Sequence, residues 1–480
     1  MTETAPMNRP ACDRAILSRK ILSRKILSRK IFAALACAAG VIPFAVDALP
    51  VIPDAAGYGL DTPAGRGGTV HKVTNLNESG AGSLRACTDA SGPRVCVFEV
   101  SGTIRITKDL VVRNPRITIA GQTAPSPGIM VRGGALYVQT SDVLVQHMRF
   151  RAGDDAVGPS VDNRDALKIG SPNAFRNVVI DHCSFSWAID ETASVWAGYD
   201  NVTLSNNIFA EPLNDSVHPK GPHGFGVILG PWDGHVSVIG NLMAHQVERN
   251  PLSRASHAVI VNNVIYNRAN MDIDLQSEDG RTTSTSVIGN VFVRGADYAR
   301  SNKPVLIHTG GALALPGASR VYVADNAALE ETPTDEWSVV GSSGGALPGA
   351  MKSASPQSWP AGLTRLPTQA NVTLSSVLKS AGARPADRDS VDKRIVQSVR
   401  DRTGQIINCV SPNGTARCNK NGGGWPVMAE NHRALTLPAN PNEVTASGYT
   451  NLELWLHKMN AEVEGNGKPP VPPMLSSQIP

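Results

Sequence analysis

His257-Ala-Val-Ile-Val-Asn-Asn-Val-Ile265 is an apolar strand-like run, a polar pair ending in asparagine, and a second apolar pair. The same texture occurs at Asn201-Val-Thr-Leu-Ser-Asn-Asn-Ile-Phe209, His235-Val-Ser-Val-Ile-Gly-Asn-Leu-Met243 and Thr285-Ser-Val-Ile-Gly-Asn-Val-Phe292. Asn177-Val-Val-Ile-Asp-His-Cys-Ser-Phe185 and Arg320-Val-Tyr-Val-Ala-Asp-Asn326 are close variants. The asparagines fall at 207, 241, 263, 290 and 326, in steps of 34, 22, 27 and 36. A unit near 22 residues with insertions is the mark of a solenoid, since propeller repeats run to about 40 or more. Strand, asparagine bend, strand fits a parallel β-helix in which one asparagine per rung stacks at a corner. Arg116-Ile-Thr-Ile-Ala120, Ala135-Leu-Tyr-Val-Gln-Thr140 and Asp142-Val-Leu-Val-Gln-His-Met-Arg-Phe150 extend the stack towards the N-terminus. The predicted fold class is therefore all-β, a parallel β-helix with long loops and a few C-terminal helices.

The composition agrees. The chain has 480 residues, 41% of them hydrophobic, but only 5% aromatic, with 44 Gly and 34 Pro. That suits a turn-rich β protein with room for a large core. The formal charge of +4 comes from the first 48 residues, which carry eight Lys/Arg and three Asp/Glu. The remainder holds 37 basic against 38 acidic residues, a net −1. No basic surface is left to argue for nucleic acid.

Residues 1–48 read as an export signal. Ile-Leu-Ser-Arg-Lys occurs three times (16–20, 21–25, 26–30), followed by a mostly apolar run from Ile31 to Val46 and the small-residue site Val46-Asp-Ala48. Sixteen residues are short for a bilayer span, which needs roughly 18 or more; a signal anchor is the alternative. The expected location is secreted, with no membrane association after signal removal. Cys87 and Cys96 lie nine residues apart, as do Cys409 and Cys418. Two such pairs in an exported protein point to two local disulfides. Cys183, inside an apolar strand, reads as a buried free thiol.

After about residue 330 the texture changes. Residues 331–375 are rich in Ser, Pro, Gly and Thr and read as loop. Asp389 to Arg402 carries Val391, Ile395, Val396 and Val399 at helical spacing, with Gly404 as a stop. Thr450 can cap a last helix bearing Leu452, Trp455, Leu456 and Met459 and ended by Gly465. The expected organisation is a signal over 1–48, a β-helix over 49–330, an extension packed on it over 331–467, and a disordered tail over 468–480.

Two groups of residues suggest chemistry. Arg249-Asn-Pro-Leu-Ser-Arg254 holds two guanidiniums on a segment stiffened by Pro251. Their planar donor forks suit carboxylate or phosphate. Upstream, Asp162-Asn-Arg-Asp165 precedes one strand and Asp190-Glu191 another. Adjacent rungs are about 4.8 Å apart, so these carboxylates can meet. Converging carboxylates repel unless a cation neutralises them, and oxygen-only ligands favour a hard ion such as Ca²⁺.

The chain resembles pectate lyases of the right-handed parallel β-helix type, over most of its length. The resemblance rests on motifs in order: Gly65-Arg-Gly-Gly68, Val73-Thr-Asn-Leu-Asn-Glu-Ser-Gly80, Gly82-Ser-Leu-Arg85, Gly92-Pro-Arg94, Val100-Ser-Gly-Thr-Ile104, Ile119-Ala-Gly-Gln-Thr-Ala-Pro125 and Ile180-Asp-His182. The family's R-x-P-x-x-R is met in full by Arg249, Pro251 and Arg254. His218-Pro-Lys220, followed by His223-Gly-Phe-Gly226, sits where the family places a substrate-binding lysine. Gly422-Gly-Gly-Trp-Pro426 and Gly448-Tyr-Thr-Asn451 are similar to extensions of some bacterial members.

The resemblance implies calcium-assisted β-elimination of polygalacturonate by a monomer, giving 4,5-unsaturated products. It implies Arg249 as the base, Lys220, Arg254 and His223 as substrate-binding residues, and Asp165, Asp190 and Glu191 as Ca²⁺ ligands. Arginine is protonated in water, so a base role needs desolvation and cationic neighbours that favour the neutral form. Trp187 and Phe225 are candidate sugar-facing aromatics. The pattern departs from the family at Asn163-Arg-Asp165, where an Asp-x-Asp pair is common, and at Ser194, where a further carboxylate is expected. Two rivals remain at this level: a β-helix glycoside hydrolase using Asp190 and Glu191, and a non-catalytic polysaccharide-binding or adhesin solenoid.

Overall fold

The computed structural model describes residues 49–465, except 300–301, 333 and 364–368. The expected signal segment and tail lie outside the described residues. The strands form three parallel sheets wound as a right-handed β-helix. One sheet has ten strands, from Thr69–Val73 to Arg320–Ala324, and two have nine. Each rung contributes one strand to each sheet, so Val178 pairs with Val143 below and Val202 above. The apolar residues of alternate positions point inward and form one continuous core, in which Phe150, Phe185 and Phe209 stack at 5.8 and 5.4 Å.

The asparagines stand in one line. Asn241 Oδ1 accepts from the backbone N–H of Asn207 at 2.9 Å and from its Nδ2 at 3.0 Å. Asn263 serves Asn241 in the same way at 2.9 Å, Asn290 serves Asn263, and Asn326 serves Asn290. Each Nδ2 also donates to a carbonyl such as Val238 O (2.9 Å, from Asn263). The residue before each ladder member has positive φ: Asn206, Gly240, Asn262, Gly289 and Asp325. This is why the corner reads as a polar pair or Gly-Asn, since these residues tolerate the left-handed region. Cys183 takes the ladder position one rung earlier, its N–H donating to Asn207 Oδ1 at 2.9 Å.

Helix Ser390–Asp401 is capped by Asp389, and helix Asn451–Glu464 by a Thr450/Glu453 capping box. The first buries Val391, Ile395 and Val399 against Ile208, Leu242 and Val264 of the solenoid wall. It is fixed electrostatically as well: Arg151 pairs with Asp389 at 2.6 Å and with Asp392 at 2.9 Å, all buried. The second packs Leu452 and Leu456 on Val95, Val97 and Ala120. Its last residue, Glu464, lies beside buried His147 and His182.

The reading of 331–375 as loop is corrected. Val340–Ser342 adds a strand to the stack, and helix Ala370–Ser380 begins inside that span. Three residues are too few to show a period, and the helix has no side-chain cap at Gln369. Helix Leu84–Asp89, capped by Ser83, was also not foreseen. Cys87–Cys96 and Cys409–Cys418 are bridged, with Cα atoms 6.0 and 5.5 Å apart, and Cys183 is buried and free. Among the described residues no helix is long and apolar enough to cross a membrane.

Candidate active site

The site lies on the nine-stranded sheet that runs from Leu110–Val112 to Val340–Ser342. Three of its successive strands are Leu167–Ile169, Glu191–Val195 and Phe225–Leu229, followed by Leu252–Ser253. Lys168 stands opposite Ser194, and Glu191 opposite Phe225. Asp165 leads into the first of these strands; Asp190 and Glu191 open the second.

Asp165, Asp190 and Glu191 offer oxygens within 4.8 Å of one another. Burial holds the Asp165 carboxyl well above the usual carboxylate range, and the neighbouring Glu191 charge adds to this. Burial pushes Glu191 up to about 7, with Asp190 adding to it and Arg249 opposing. Asp190 is raised too, by its own burial. Ser194 Oγ donates to Asp165 Oδ2 at 2.6 Å, while buried Asp165 Oδ1 has no hydrogen-bond partner. Ser194 thus stands where a carboxylate was expected and orients Asp165 instead. Three crowded carboxylates, one with an unpartnered buried oxygen, form a donor set that fits a hard divalent cation.

Arg249 is two rungs above Glu191 and ion-paired to it through Nη1. Its guanidinium lies 4.0 Å over the Phe225 ring, on the rung between. Arg249 has φ +67°, and its carbonyl accepts from Val227 N at 2.6 Å. A Cβ at Gly226 would collide with that carbonyl and with Gln246 Oε1, so only glycine fits below the Arg249 bend.

His223 Nε2 is 3.2 Å from Asp190 Oδ1, and its ring stacks on His218 at 3.8 Å. Burial, and His218 beside it, push His223 down to about 4, so it is neutral. Lys220 is exposed on the same loop and near enough to Asp190 to favour its charge. Arg254 is engaged on its own side: it donates to Gln276 Oε1 at 3.1 and 2.9 Å and pairs with Glu278. The structure therefore joins Asp165, Asp190, Glu191, Arg249 and His223 directly, with Lys220 at the rim and Arg254 held by its neighbours.

Of the two aromatics, Trp187 is corrected. It is fully buried, edge-on to Trp425 at 5.0 Å, and its Nε1 donates to Glu211 at 3.1 Å. It anchors the C-terminal extension rather than facing a sugar. Phe225 faces the groove under Arg249. A cavity of about 290 Å³ over the carboxylates is also lined by Lys168, Tyr137 and Trp196, which sequence reading passed over. Alternation marks Lys168 as outward between Leu167 and Ile169; Trp196, an aromatic at a strand end, carries no such signal.

No family model matches the chain. It is 33% identical over 431 residues to a protein of Neosartorya fischeri named probable pectate lyase C, covering 86% of this chain and 95% of that one. It is 32% identical over 433 residues to a protein of the same name from Aspergillus oryzae, covering 86% and 94%. Among solved structures it is similar to jun a 1, the major allergen from cedar pollen, at 18% identity and a TM-score of 0.48, covering 67% of this chain and 91% of that one.

Proposed function

The chain belongs to the pectate lyase family, and on that premise we propose that it is a secreted enzyme cleaving polygalacturonate by calcium-assisted β-elimination with Arg249 as the base. The observation that carries this reading is the ion pair between Arg249 and Glu191, which sets a guanidinium against a partly buried carboxylate trio.

The substrate presents a proton at C5 of a uronate, beside its C6 carboxylate, with the glycosidic oxygen on C4. Asp165, Asp190 and Glu191 would hold Ca²⁺. When bound, the ion withdraws charge from the substrate carboxylate and so makes the C5 proton more acidic. Arg249 takes that proton. The C5–H electron pair becomes the C4=C5 double bond as the C4–O bond breaks, and the leaving oxygen takes a proton from water. The proton-accepting form of Arg249 is neutral. Phe225 lies beneath the guanidinium, and exposed Lys220 adds positive charge at the rim. Lys220, and Arg254 once exchanged from Glu278, would pair with further uronate carboxylates. His223 is an uncharged hydrogen-bonding group beside Asp190. Residues 1–48 would direct export, with the enzyme acting as a monomer.

The test is incubation with polygalacturonate, with and without EDTA. The expected result is a rise in ultraviolet absorbance from the unsaturated product, abolished by EDTA and restored by Ca²⁺. Reducing ends without that absorbance would instead indicate hydrolysis, and neither signal would indicate binding alone.

A further inference from the structure

Trp196 follows strand Glu191–Val195 and continues its ladder, its N–H donating to Ile169 O at 2.9 Å. Trp196 is 45% exposed, and it is the one aromatic among the exposed large hydrophobic residues of the described residues. It lines the same cavity as Asp165, Asp190 and Glu191. Along a strand, residues two apart share a face at about 6–7 Å. Trp196 is therefore the next outward side chain after Ser194, which is bonded to Asp165.

The ring is bedded rather than loose. On the following rung, Gly230 donates to Val195 O at 2.6 Å. A Cβ on Gly230 would come within 2.6 Å of Trp196 O and 2.8 Å of its Cε3. On the preceding rung, Gly170 would meet the Trp196 Cβ at 3.7 Å. Both neighbouring rungs thus lack a side chain at this position. The indole gains a seat against backbone and keeps the rest of its surface open to the groove. Tyr137 and buried Ile228 add apolar surface to a floor that Asp165, Lys168, Glu191 and Ser194 otherwise make polar.

We propose that Trp196 is a stacking platform for a uronate ring of the substrate, one position along the groove from the ring held at the carboxylates. A galacturonosyl ring carries C–H bonds at C3, C4 and C5 on one side. That side is apolar while the rim is polar, which matches an open indole face next to charged groups. The inference rests on the polygalacturonate reading above, because it takes the substrate from there. It adds a determinant of affinity that is independent of charge and of the cation.

The experiment compares wild type, Trp196→Ala and Trp196→Phe at saturating Ca²⁺. Trp196→Ala is expected to raise KM for polygalacturonate about tenfold and to leave kcat within about twofold. Trp196→Phe, which keeps a flat ring, should recover most of the loss. Rapid mixing of wild type with tetragalacturonate should change tryptophan fluorescence before turnover, and Trp196→Ala should lose that change. Unchanged KM in Trp196→Ala, or a fluorescence change that survives it, overturns the proposal. A fall in kcat alone would also overturn it, because that would place Trp196 in the support of the carboxylates. If wild type shows Trp196-dependent binding but releases no unsaturated product, the lyase reading fails and the platform stands. If wild type does not bind tetragalacturonate, both fail.

Discussion

Arg249 reaches back over the Phe225 ring to pair with Glu191 two rungs away. Two rung spacings are about 9–10 Å, within what a long arginine and a glutamate span together. Glu191 therefore belongs to two groups at once, the carboxylate trio and the arginine pair. Glu191→Gln removes one charge from each. It should weaken Ca²⁺ binding about tenfold or more with little change in folding. Calorimetric titration of Ca²⁺ into wild type and variant checks this, and equal affinities would remove Glu191 from the ligand set.

The same carboxylate sets a pH dependence. Glu191 is raised to about 7 by burial first and by Asp190 second. A proton and a cation compete for it, so Ca²⁺ affinity should be highest above pH 7 and fall as pH drops through 7. Above about 4.5 and up to 7 the folded form also holds a proton that the unfolded form has lost. Stability of the metal-free protein from this group therefore falls as pH rises through that window. Ca²⁺ titrations at pH 5.5, 7 and 8.5 test the first statement; an affinity independent of pH would contradict it.

A second window belongs to the junction of the last helix with the solenoid. His182 is buried, which disfavours its charge, but Asp181 at 2.8 Å and Glu464 outweigh this and raise it to about 9. Its unfolded value is near 6.5. The stabilisation is complete below 6.5 and is lost as pH rises through 9, and it is of order 3 kcal/mol at most. Denaturant unfolding at pH 6.5 and pH 10 should show this loss, and His182→Gln should remove most of the difference.

Asn263 sits inside the ladder. Asn263→Ala strips acceptors from the Asn241 N–H and side-chain amide and removes the Nδ2 donor to Val238 O. Each buried unmade bond costs about 1 kcal/mol or more, so a loss of about 3 kcal/mol is expected from denaturant midpoints. A loss below about 1 kcal/mol would mean that strand pairing alone carries the stack.

Much of this was legible because the solenoid repeats its local chemistry. A left-handed corner before each ladder asparagine restricts two successive positions to Asn, Gly or Asp, so the pattern at 206–207, 240–241 and 262–263 survives insertions of very different length. Asp389 and Thr450 announced their helices through their caps. The acidic trio was legible from adjacent-rung logic. Trp187 was misread because its polar contact, Glu211, and its cover, Trp425, come from segments distant in sequence. The pairing of Arg254 with Glu278 and the seat of Trp196 on Gly230 depend on which side chains face one another across rungs. No single strand encodes that.

The central claim is that Arg249 removes the C5 proton. Arg249→Lys keeps a positive charge but changes reach, donor geometry and proton affinity. The direct measurement is the rate of unsaturated-product formation by Arg249→Lys at saturating Ca²⁺ and alkaline pH, alongside Ca²⁺ binding and unfolding of the same variant. The account predicts turnover lower by orders of magnitude with binding of Ca²⁺ and stability nearly intact. Near-normal turnover in that variant would contradict it, and another residue would have to be the base.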